Sequence, residues 1–265
     1  MREKHEPQHP ESFSPMTFWE HLEVLRHTLI RIGLVIILFS ILAFCCKDEV
    51  FSIILAPKND NFLIYDVFDK VADLLSLPRQ EHFSISLINT GLADQFKTHV
   101  SASLYTGLLL ASPYIIYQLF SFISPALYAN ERKYSFYAVS IGYMLFLSGV
   151  LLCYFLIFPL TFRFLGTYQV SPEIKNMISL QSYMDTLLVM SFLMGLMFEL
   201  PILCWLLGRL GILSAHFMKH YRKHAIIVIL ILAAIITPTS DVFTLCLVAL
   251  PICLLYEISI WVVRK

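Results

Sequence analysis

A glutamate inside an apolar run is the residue of this chain that points most directly to chemistry. Glu199 lies in MGLMFELPILCW, and an ionisable side chain at the centre of a membrane helix costs roughly 2.5–3.5 kcal/mol on insertion scales. Pro201 removes a backbone donor and crowds the carbonyl of Met197, which predicts a bend beside the carboxyl group. Such a notch suits a functional acid. A protonated carboxyl group bonded to a neighbouring helix is the structural alternative.

A second carboxylate lies in a short connection between two apolar runs. The segment FSFISPALYANERKYSF, residues 120–136, places Glu131 beside Arg132 and Lys133. The two cations favour a cytoplasmic position for the loop, whereas the carboxylate does nothing for topology. A carboxylate accepts a guanidinium group in bidentate fashion. Glu131 is therefore a candidate acceptor for a cationic partner.

Charged residues also precede the first apolar run, in FWEHLEVLRHTLIR. Glu20, Glu23, Arg26, His27 and Arg31 recur at spacings of three to five, which predicts a helix with intrahelical pairs. The ordinary interpretation of this pattern is a solvated helix start. If the segment meets the Glu131 loop, the carboxylates form an acidic patch.

Two polar residues, Thr237 and Asp241, lie in the turn ITPTSDVF. Asp241 directly precedes an apolar run, where aspartate commonly caps a helix N-terminus. A cap and a functional role are both open for it, and Thr237, next to Pro238, is equally ambiguous.

The composition defines an integral membrane protein. Of the 265 residues, 58% are hydrophobic and 14% are charged, and the mean hydropathy is +0.72. Several runs approach the ~20 apolar residues that a membrane helix needs. The net charge of zero argues against a nucleic-acid partner. The six cysteines lie in or beside apolar runs, as expected for small buried hydrophobic residues.

The chain carries no sequence signature of an enzyme. It contains no H-E-x-x-H, G-x-S-x-G, Walker or Rossmann motif, and none of its histidines lies within a predicted span. We therefore expect no catalytic residues, no metal and no cofactor.

The apolar runs predict an all-α protein with six transmembrane helices, both termini cytoplasmic, and helices 5 and 6 short. A cytoplasmic segment with an amphipathic helix covers 1–28, and one transmembrane domain covers 29–265, with spans at about 29–46, 102–122, 135–158, 184–207, 225–237 and 242–262. The fifth covers only ~20 Å, and Pro251 and Glu257 interrupt the sixth. The long connection between spans one and two contains a further predicted amphipathic helix, in DVFDKVADLLSLP.

Orientation follows from the basic residues near the span ends. One side receives most of them: Arg2, Lys4, Arg26, Arg31, Arg132, Lys133, Arg209, Lys219, Arg222, Lys223, Arg264 and Lys265. That side is predicted to be cytoplasmic.

Several of these segments resemble motifs of the TatC family, the multispanning subunit of the twin-arginine protein translocase. FWEHLEVLR resembles its amino-terminal H-L-x-E-L-R motif, and SPYIIYQLFSFISPALYANERK resembles its second span and first cytoplasmic loop. FELP and ITPTSD are similar to its fourth span and last outer turn. The resemblance runs in order over essentially the whole chain.

The resemblance implies a receptor for twin-arginine signal peptides in the bacterial inner membrane. Such a receptor acts with single-span TatA- and TatB-type partners, as an expected homo-oligomer in the bilayer, to export folded cargo on the protonmotive force. By position, Glu131 is the loop carboxylate that meets the arginines, and Glu199 faces the interior of a concave bundle. The remaining carried-over positions are Arg26, Pro125, Leu127, Arg132, Asp241 and Pro57.

One position departs from the family pattern. Val24 stands where the motif has its acidic residue, and the carboxylate comes one residue earlier, at Glu23. That shift rotates the charge by ~100° on a helix. Either Glu23 still reaches the patch, or Glu20 replaces it, or Glu131 binds with less help.

Two other function classes stay open from the residues alone. A small proton-coupled secondary transporter would use Glu199 as its proton site. A membrane enzyme is the weakest alternative, because paired catalytic groups are missing from the sequence.

Overall fold

The apolar runs form long helices in a computed structural model, which describes residues 18–60, 62–65, 67, 70, 86–123, 135–171, 173, 176–237 and 241–264. In hydrocarbon every backbone N–H and C=O must be bonded within the segment, and a helix achieves this for each residue. The longer elements are α1 (Phe18–Cys45), α3 (Asp94–Ile123), α4 (Ser135–Leu152), α6 (Leu180–Phe198), α9 (Arg222–Ile236) and α10 (Val242–Val263).

Shorter elements connect or extend these helices. They are α2 (Lys47–Ile54), a 3-10 turn (Ala56–Lys58), α5 (Phe158–Thr167), α7 (Leu200–Arg209) and α8 (Ala215–His220). A π-helical turn, Cys153–Ile157, joins α4 to α5. Five described stretches are long and apolar enough to cross a membrane: Trp19–Cys45, Asp94–Phe122, Val139–Thr167, Leu180–Arg209 and Val242–Val263.

Helices α1 and α3 are antiparallel neighbours, and two ring contacts fix their ends. His21 stacks on Phe122 with ring centroids 4.2 Å apart, and Phe44 stacks on His99 at 4.0 Å. We call the end that carries His21 and Phe122 the proximal end, and the end that carries Phe44 and His99 the distal end.

The other long helices run between the same two ends. Helix α6 begins distally, where the Tyr183 hydroxyl donates to the Ile54 carbonyl at 2.9 Å. Helix α10 also begins distally, where Phe243 stacks on Phe164 of α5 at 4.4 Å. Helices α7 and α10 therefore end proximally, and α9 begins there.

The lengths of α9 and α10 only partly match expectation. Helix α9 has 15 residues, about 22 Å, so the prediction of a short fifth helix is confirmed. The prediction that helix 6 is short is wrong, because α10 has 22 residues and continues through Pro251. Its length of about 33 Å matches the hydrocarbon thickness, and apolar neighbours such as buried Val248 and Ile252 hold both sides of the proline in place.

The prediction of a helical fold class is confirmed, and the described residues add one small sheet to the helices. Strands β1 (Leu87–Ile88) and β2 (Ile178–Ser179) pair in parallel, with Leu87 opposite Ile178. The sequence pattern did not predict this pair. The pair ties the connection before α3 to the residues that precede α6, a pairing between distant segments that no local periodicity indicates.

A distal cap closes one end of the bundle; we define it as α2, the 3-10 turn, residues 62–65 and the two strands. The Tyr65 hydroxyl lies 3.1 Å from the carbonyl oxygens of both Pro57 and Pro159. Burial raises the pKa of Tyr65, so the hydroxyl keeps its proton as a donor. The Tyr154 hydroxyl donates to the Ile53 carbonyl at 2.6 Å.

The core lies between the π turn, α6 and α10. Its fully buried side chains include Cys153, Ile157, Met190, Met194 and Ile252. All six cysteines are free. Only Cys153 is fully buried, while Cys45, Cys46 and Cys246 are exposed on the helix surfaces, which corrects the expectation that all six are buried.

Two predicted boundaries concern the first part of the chain. Helix α1 runs without interruption through residue 28, and the division into two units at that residue stays a prediction. The amphipathic helix predicted in DVFDKVADLLSLP lies largely outside the described residues.

Candidate functional site

The helix that contains Glu199 is interrupted at that residue. Helix α6 ends at Phe198 and α7 begins at Leu200. The Glu199 N–H donates to the Leu196 carbonyl at 3.1 Å, and the Glu199 carbonyl accepts from the Ile202 N–H at 3.1 Å. Because Pro201 has no N–H to offer, the regular pattern of bonds fails at this point. The predicted break beside the carboxyl group is confirmed.

Glu199 faces an apolar cavity of about 380 Å³ in the proximal half of the bundle. The walls come from α3, α4, α6 and α7, with side chains that include Leu108, Ser112, Ile116, Phe146, Phe192 and Leu203. Glu199 is the one carboxylate among the described residues that line it. Its Oε1 is buried, with no hydrogen-bond partner among the described residues. A buried acceptor left without a donor costs free energy.

A glycine gives the carboxylate its space. A Cβ added at Gly142 of α4 would lie 3.2 Å from Oε2 of Glu199, which is tighter than ordinary van der Waals contact. No sequence pattern marked Gly142 as a site residue, because a glycine in an apolar helix can have many roles. A larger residue at 142 would press on the carboxylate.

A second apolar cavity, of about 370 Å³, lies on the distal side of the first. Phe192 lines both cavities. Its ring lies edge-on to Tyr105 and Phe146, at centroid distances of 6.3 and 6.5 Å. Phe192 is therefore an aromatic partition between two spaces bounded by α3, α4 and α6.

The predicted amino-terminal site residues lie on the first turns of α1. Glu20, Glu23 and Arg26 are all exposed. Glu23 Oε1 lies 3.9 Å from Nε2 of His27, a pairing one turn apart as the spacing predicts. The side chains of Glu20 and Glu23 thus lie exposed at the surface of the proximal end.

His21 connects this segment to the end of α3. Its stack on Phe122 places the first turns of α1 beside the point where the chain leaves α3 at Ile123. Sequence reasoning missed His21, although its place between two candidate carboxylates was visible. The predicted loop residues Glu131, Arg132, Leu127 and Pro125 lie outside the described residues.

Asp241 caps a helix, as one of its two interpretations predicts. Its side chain accepts from the Thr244 N–H at 2.7 Å at the start of α10. The Thr237 hydroxyl is buried and donates to the Ala233 carbonyl at 3.0 Å in the last turn of α9. Neither residue lines the Glu199 cavity, so the structure does not join the three intramembrane polar residues into one site.

An ion pair links α9 and α10 at the proximal end. Arg222 Nη2 lies 2.6 Å from Glu257 Oε2, and both side chains are about half exposed. The spacing of 35 residues left no local signal for this pair.

The described residues contain no cluster of three or more histidine, cysteine, aspartate or glutamate side chains able to hold a metal. The arrangement is a bundle of apolar helices with one carboxylate facing an internal cavity and further carboxylates exposed at the proximal end. It defines the class of the protein: a multispanning helical membrane protein.

The chain matches known proteins over most of its length. The model of one family, "Sec-independent protein translocase protein (TatC)", matches residues 20–251. A Sec-independent protein translocase protein TatC from Blattabacterium sp. subsp. Periplaneta americana is 33% identical over 252 residues, covering 93% of this chain and 94% of that protein. The TatC of Carboxydothermus hydrogenoformans is 32% identical, covering 94% of this chain and 93% of its own length.

A solved structure agrees with these sequence relatives. The crystal structure of a twin arginine translocase receptor, TatC, superposes with a TM-score of 0.74 at 30% identity, covering 92% of this chain and 98% of that one. The chain belongs to the TatC family of Sec-independent protein translocase proteins.

Proposed function

We propose that this protein is the receptor subunit of a twin-arginine translocase, which binds the signal peptides of folded cargo proteins at its proximal end. Family membership supports this function. The structural observation that supports the location of the site is the stack of His21 on Phe122. That contact puts Glu20 and Glu23 beside the end of α3, from which the chain continues to Glu131. Paired arginines present two guanidinium groups, each able to bind a carboxylate in bidentate fashion.

One exposed ion pair contributes only ~0–1 kcal/mol, so a single carboxylate would not make a selective receptor. In this proposal, the additional binding free energy and selectivity come from several carboxylates near one another and from apolar signal-peptide residues that pack along the helices. Glu23 is offset from the usual position of the motif acid, and in this proposal it shares the task with Glu20.

We infer six membrane spans, with α9 as the fifth, and a cytoplasmic proximal end. The exposed face of α9 is apolar, with Ile227 58% and Ile235 68% exposed, as suits contact with lipid. Basic residues at the proximal ends of the helices support the orientation: Arg26, Arg209, Lys219, Arg222, Lys223 and Arg264. Both termini are then cytoplasmic, and residues 29–265 form one membrane domain with the two cavities as parts of a concave interior.

The partners in this proposal are single-span TatA- and TatB-type proteins, acting with a homo-oligomer of this chain on the protonmotive force. We place a single-span helix against the flank formed by α9 and α10, because α9 is too short to span the bilayer without thinning it. Disulfide scanning tests this placement. Cysteines at 227, 231 and 235, in a background without native cysteines, should crosslink to such a helix. Uniform absence of crosslinks would remove the flank from the proposal.

Photocrosslinking of a twin-arginine signal peptide tests the receptor function. With Glu131→Ala we expect crosslinking to fall several-fold, because one bidentate charge-assisted contact of the site is lost. Glu49→Ala, at an exposed carboxylate of α2 in the distal cap, is the matched control and should leave crosslinking unchanged. A peptide with both arginines replaced by alanine sets the background.

The same assay separates the amino-terminal acids. Glu20→Ala and Glu23→Ala, alone and together, report which of them shares the site with Glu131. Full crosslinking in Glu131→Ala and in the double variant would remove the acidic site, and the receptor proposal with it.

A further inference from the structure

A basic segment of the proximal end lies outside the site proposed for signal peptides. We define the basic shelf as Arg209–His224, the end of α7, the connection to α8, α8 itself and the start of α9. We propose that the basic shelf binds the headgroups of anionic phospholipids. The inference does not depend on the proposed function, because signal-peptide arginines would be repelled by this surface.

The charge of the basic shelf is one-sided. Residues 200–240 contain no aspartate or glutamate, but include Arg209, Lys219, Arg222 and Lys223. Glu257 neutralises Arg222 from α10 at 2.6 Å. Lys219 and Lys223 are exposed, and neither forms an ion pair with a described residue. Two lysines four residues apart therefore present positive charge that no described carboxylate pairs with.

Exposed apolar rings accompany these cations. Phe217 is 52% and Tyr221 42% exposed, and Ile212 is 71% exposed. The two rings pack on each other with centroids 4.5 Å apart. Large apolar side chains next to lysines are typical of segments that lie at the boundary between headgroups and acyl chains.

Three tryptophans lie at the same end of the bundle as the basic shelf. Trp19 at the start of α1, Trp205 in α7 and Trp261 near the end of α10 all lie at the proximal end, and tryptophan is enriched at membrane interfaces. The Arg209 guanidinium lies 5.6 Å from the ring centroid of Trp205. These residues place the basic shelf at the level of lipid phosphates.

The segment is held in place by contacts with α10. Met218 is only 3% exposed, and its carbonyl accepts from the Tyr256 hydroxyl at 2.8 Å. Ser214 caps α8 by accepting from the Phe217 N–H at 3.2 Å. Because Met218 faces inward, the lysine pair and the ring pair on either side of it face outward.

Charge complementarity and the adjacent apolar rings identify the occupant. The lysines match a phosphodiester, and the rings match the first carbons of an acyl chain, so one phospholipid satisfies both. Clusters of lysine and arginine next to a membrane helix bind anionic lipid in this way. A soluble anion would leave the rings uncovered, and an acidic protein segment is the competing occupant.

Tryptophan quenching by brominated lipid tests the proposal on the full-length protein. The Trp19→Phe, Trp261→Phe background leaves Trp205 as the reporter beside the basic shelf. In phosphatidylcholine vesicles, a minor fraction of brominated phosphatidylglycerol should quench it several-fold more than the same fraction of brominated phosphatidylcholine. Lys219→Gln with Lys223→Gln should reduce that preference to near parity between the two lipids, as expected when two cations leave a surface that binds anionic lipid.

Matched variants make the test specific. Lys47→Gln with Lys97→Gln removes two exposed lysines from the distal end and should leave the preference intact. Lys219→Arg with Lys223→Arg keeps the charge and should retain it, which also guards against misfolding of the glutamine variant.

Three results would overturn the proposal. Equal quenching by the two brominated lipids would show that no anionic lipid is selected. Equal loss in the distal control would assign the effect to net charge alone. The third result combines two observations. Neither salt nor excess unlabelled phosphatidylglycerol would displace brominated phosphatidylglycerol, and a polyglutamate peptide would bind tightly instead. That result would assign the basic shelf to a protein partner.

Discussion

The two ends of this bundle are stabilised in different ways. At the distal end, buried tyrosine hydroxyls donate to backbone carbonyls of a segment that follows α1, as Tyr183 does to Ile54 and Tyr65 does to Pro57. At the proximal end the contacts include the His21–Phe122 ring stack, the half-exposed ion pair Arg222–Glu257, and a part-buried hydrogen bond from the Tyr256 hydroxyl to the Met218 carbonyl. Buried hydrogen bonds fix geometry, while exposed charges leave it adjustable. The distal cap is therefore the end held by more buried hydrogen bonds, and the proximal end is where the proposed function places the partners.

The largest expected loss of stability comes from a substitution that disrupts the distal cap. Tyr183 is 2% exposed, and its ring lies edge-on to Phe158 and Phe162 at 5.0 and 5.1 Å. Tyr183→Ala should lower the free energy of unfolding by about 3–5 kcal/mol, as for large aromatic core residues. Denaturant unfolding in detergent measures it. Tyr168→Ala, at a 63% exposed ring of the same end, is the control, and equal losses in the two variants would contradict the comparison.

The second effect concerns the packing of α1 on α3. A Cβ at Gly107 would lie 2.5 Å from the backbone nitrogen of Ser40, so Gly107→Ala must push two backbones apart. We expect a loss of about 1–3 kcal/mol, measured as a lowered Tm.

Gly33→Ala on α1 is its matched control. A Cβ there meets nothing within 4 Å, and replacing a helical glycine should stabilise by about 0.5–1 kcal/mol. Stabilisation by both substitutions would show that α1 and α3 are not in close backbone contact.

A moderate effect is expected at the start of α10. Asp241→Ala removes the cap on the Thr244 N–H and should cost about 0.5–2 kcal/mol. Asp241→Asn keeps an oxygen acceptor and should cost much less, as thermal unfolding followed by circular dichroism can measure. If asparagine and alanine are equally destabilising, the charge of Asp241 rather than its cap is what stabilises the distal end.

The smallest effect sharpens the account of the proximal end. Arg222→Gln, Glu257→Gln and the double variant form a double-mutant cycle, measured as free energies of unfolding. We expect a coupling free energy under about 1 kcal/mol that decreases with added salt, because the pair is half exposed. Lys223→Gln is the unpaired control. A coupling of several kcal/mol would mean that this end, too, is held rigidly.

Much of the fold could be predicted from local pattern. The apolar runs predicted all the long helices, and Pro201 predicted the break at Glu199. The local pattern mispredicted α10. Pro251 and Glu257 suggested an interruption, but the helix continues through both residues because packing on neighbouring helices overrides that tendency. It also failed at β1–β2, where two residues on each side pair across a long stretch of chain.

The features of the candidate site likewise divide into those that local sequence predicts and those that depend on contacts between distant residues. By itself, the sequence predicted the helix break beside Glu199 and gave helix capping as one of two interpretations of Asp241, because both depend on residues within one turn. Only the tertiary structure decided that Gly142 leaves room for the Glu199 carboxylate, that His21 stacks on Phe122, and that Glu257 pairs with Arg222. Such contacts join residues far apart in the chain, and their partners are selected by how whole helices pack rather than by any short-range preference of the residues involved.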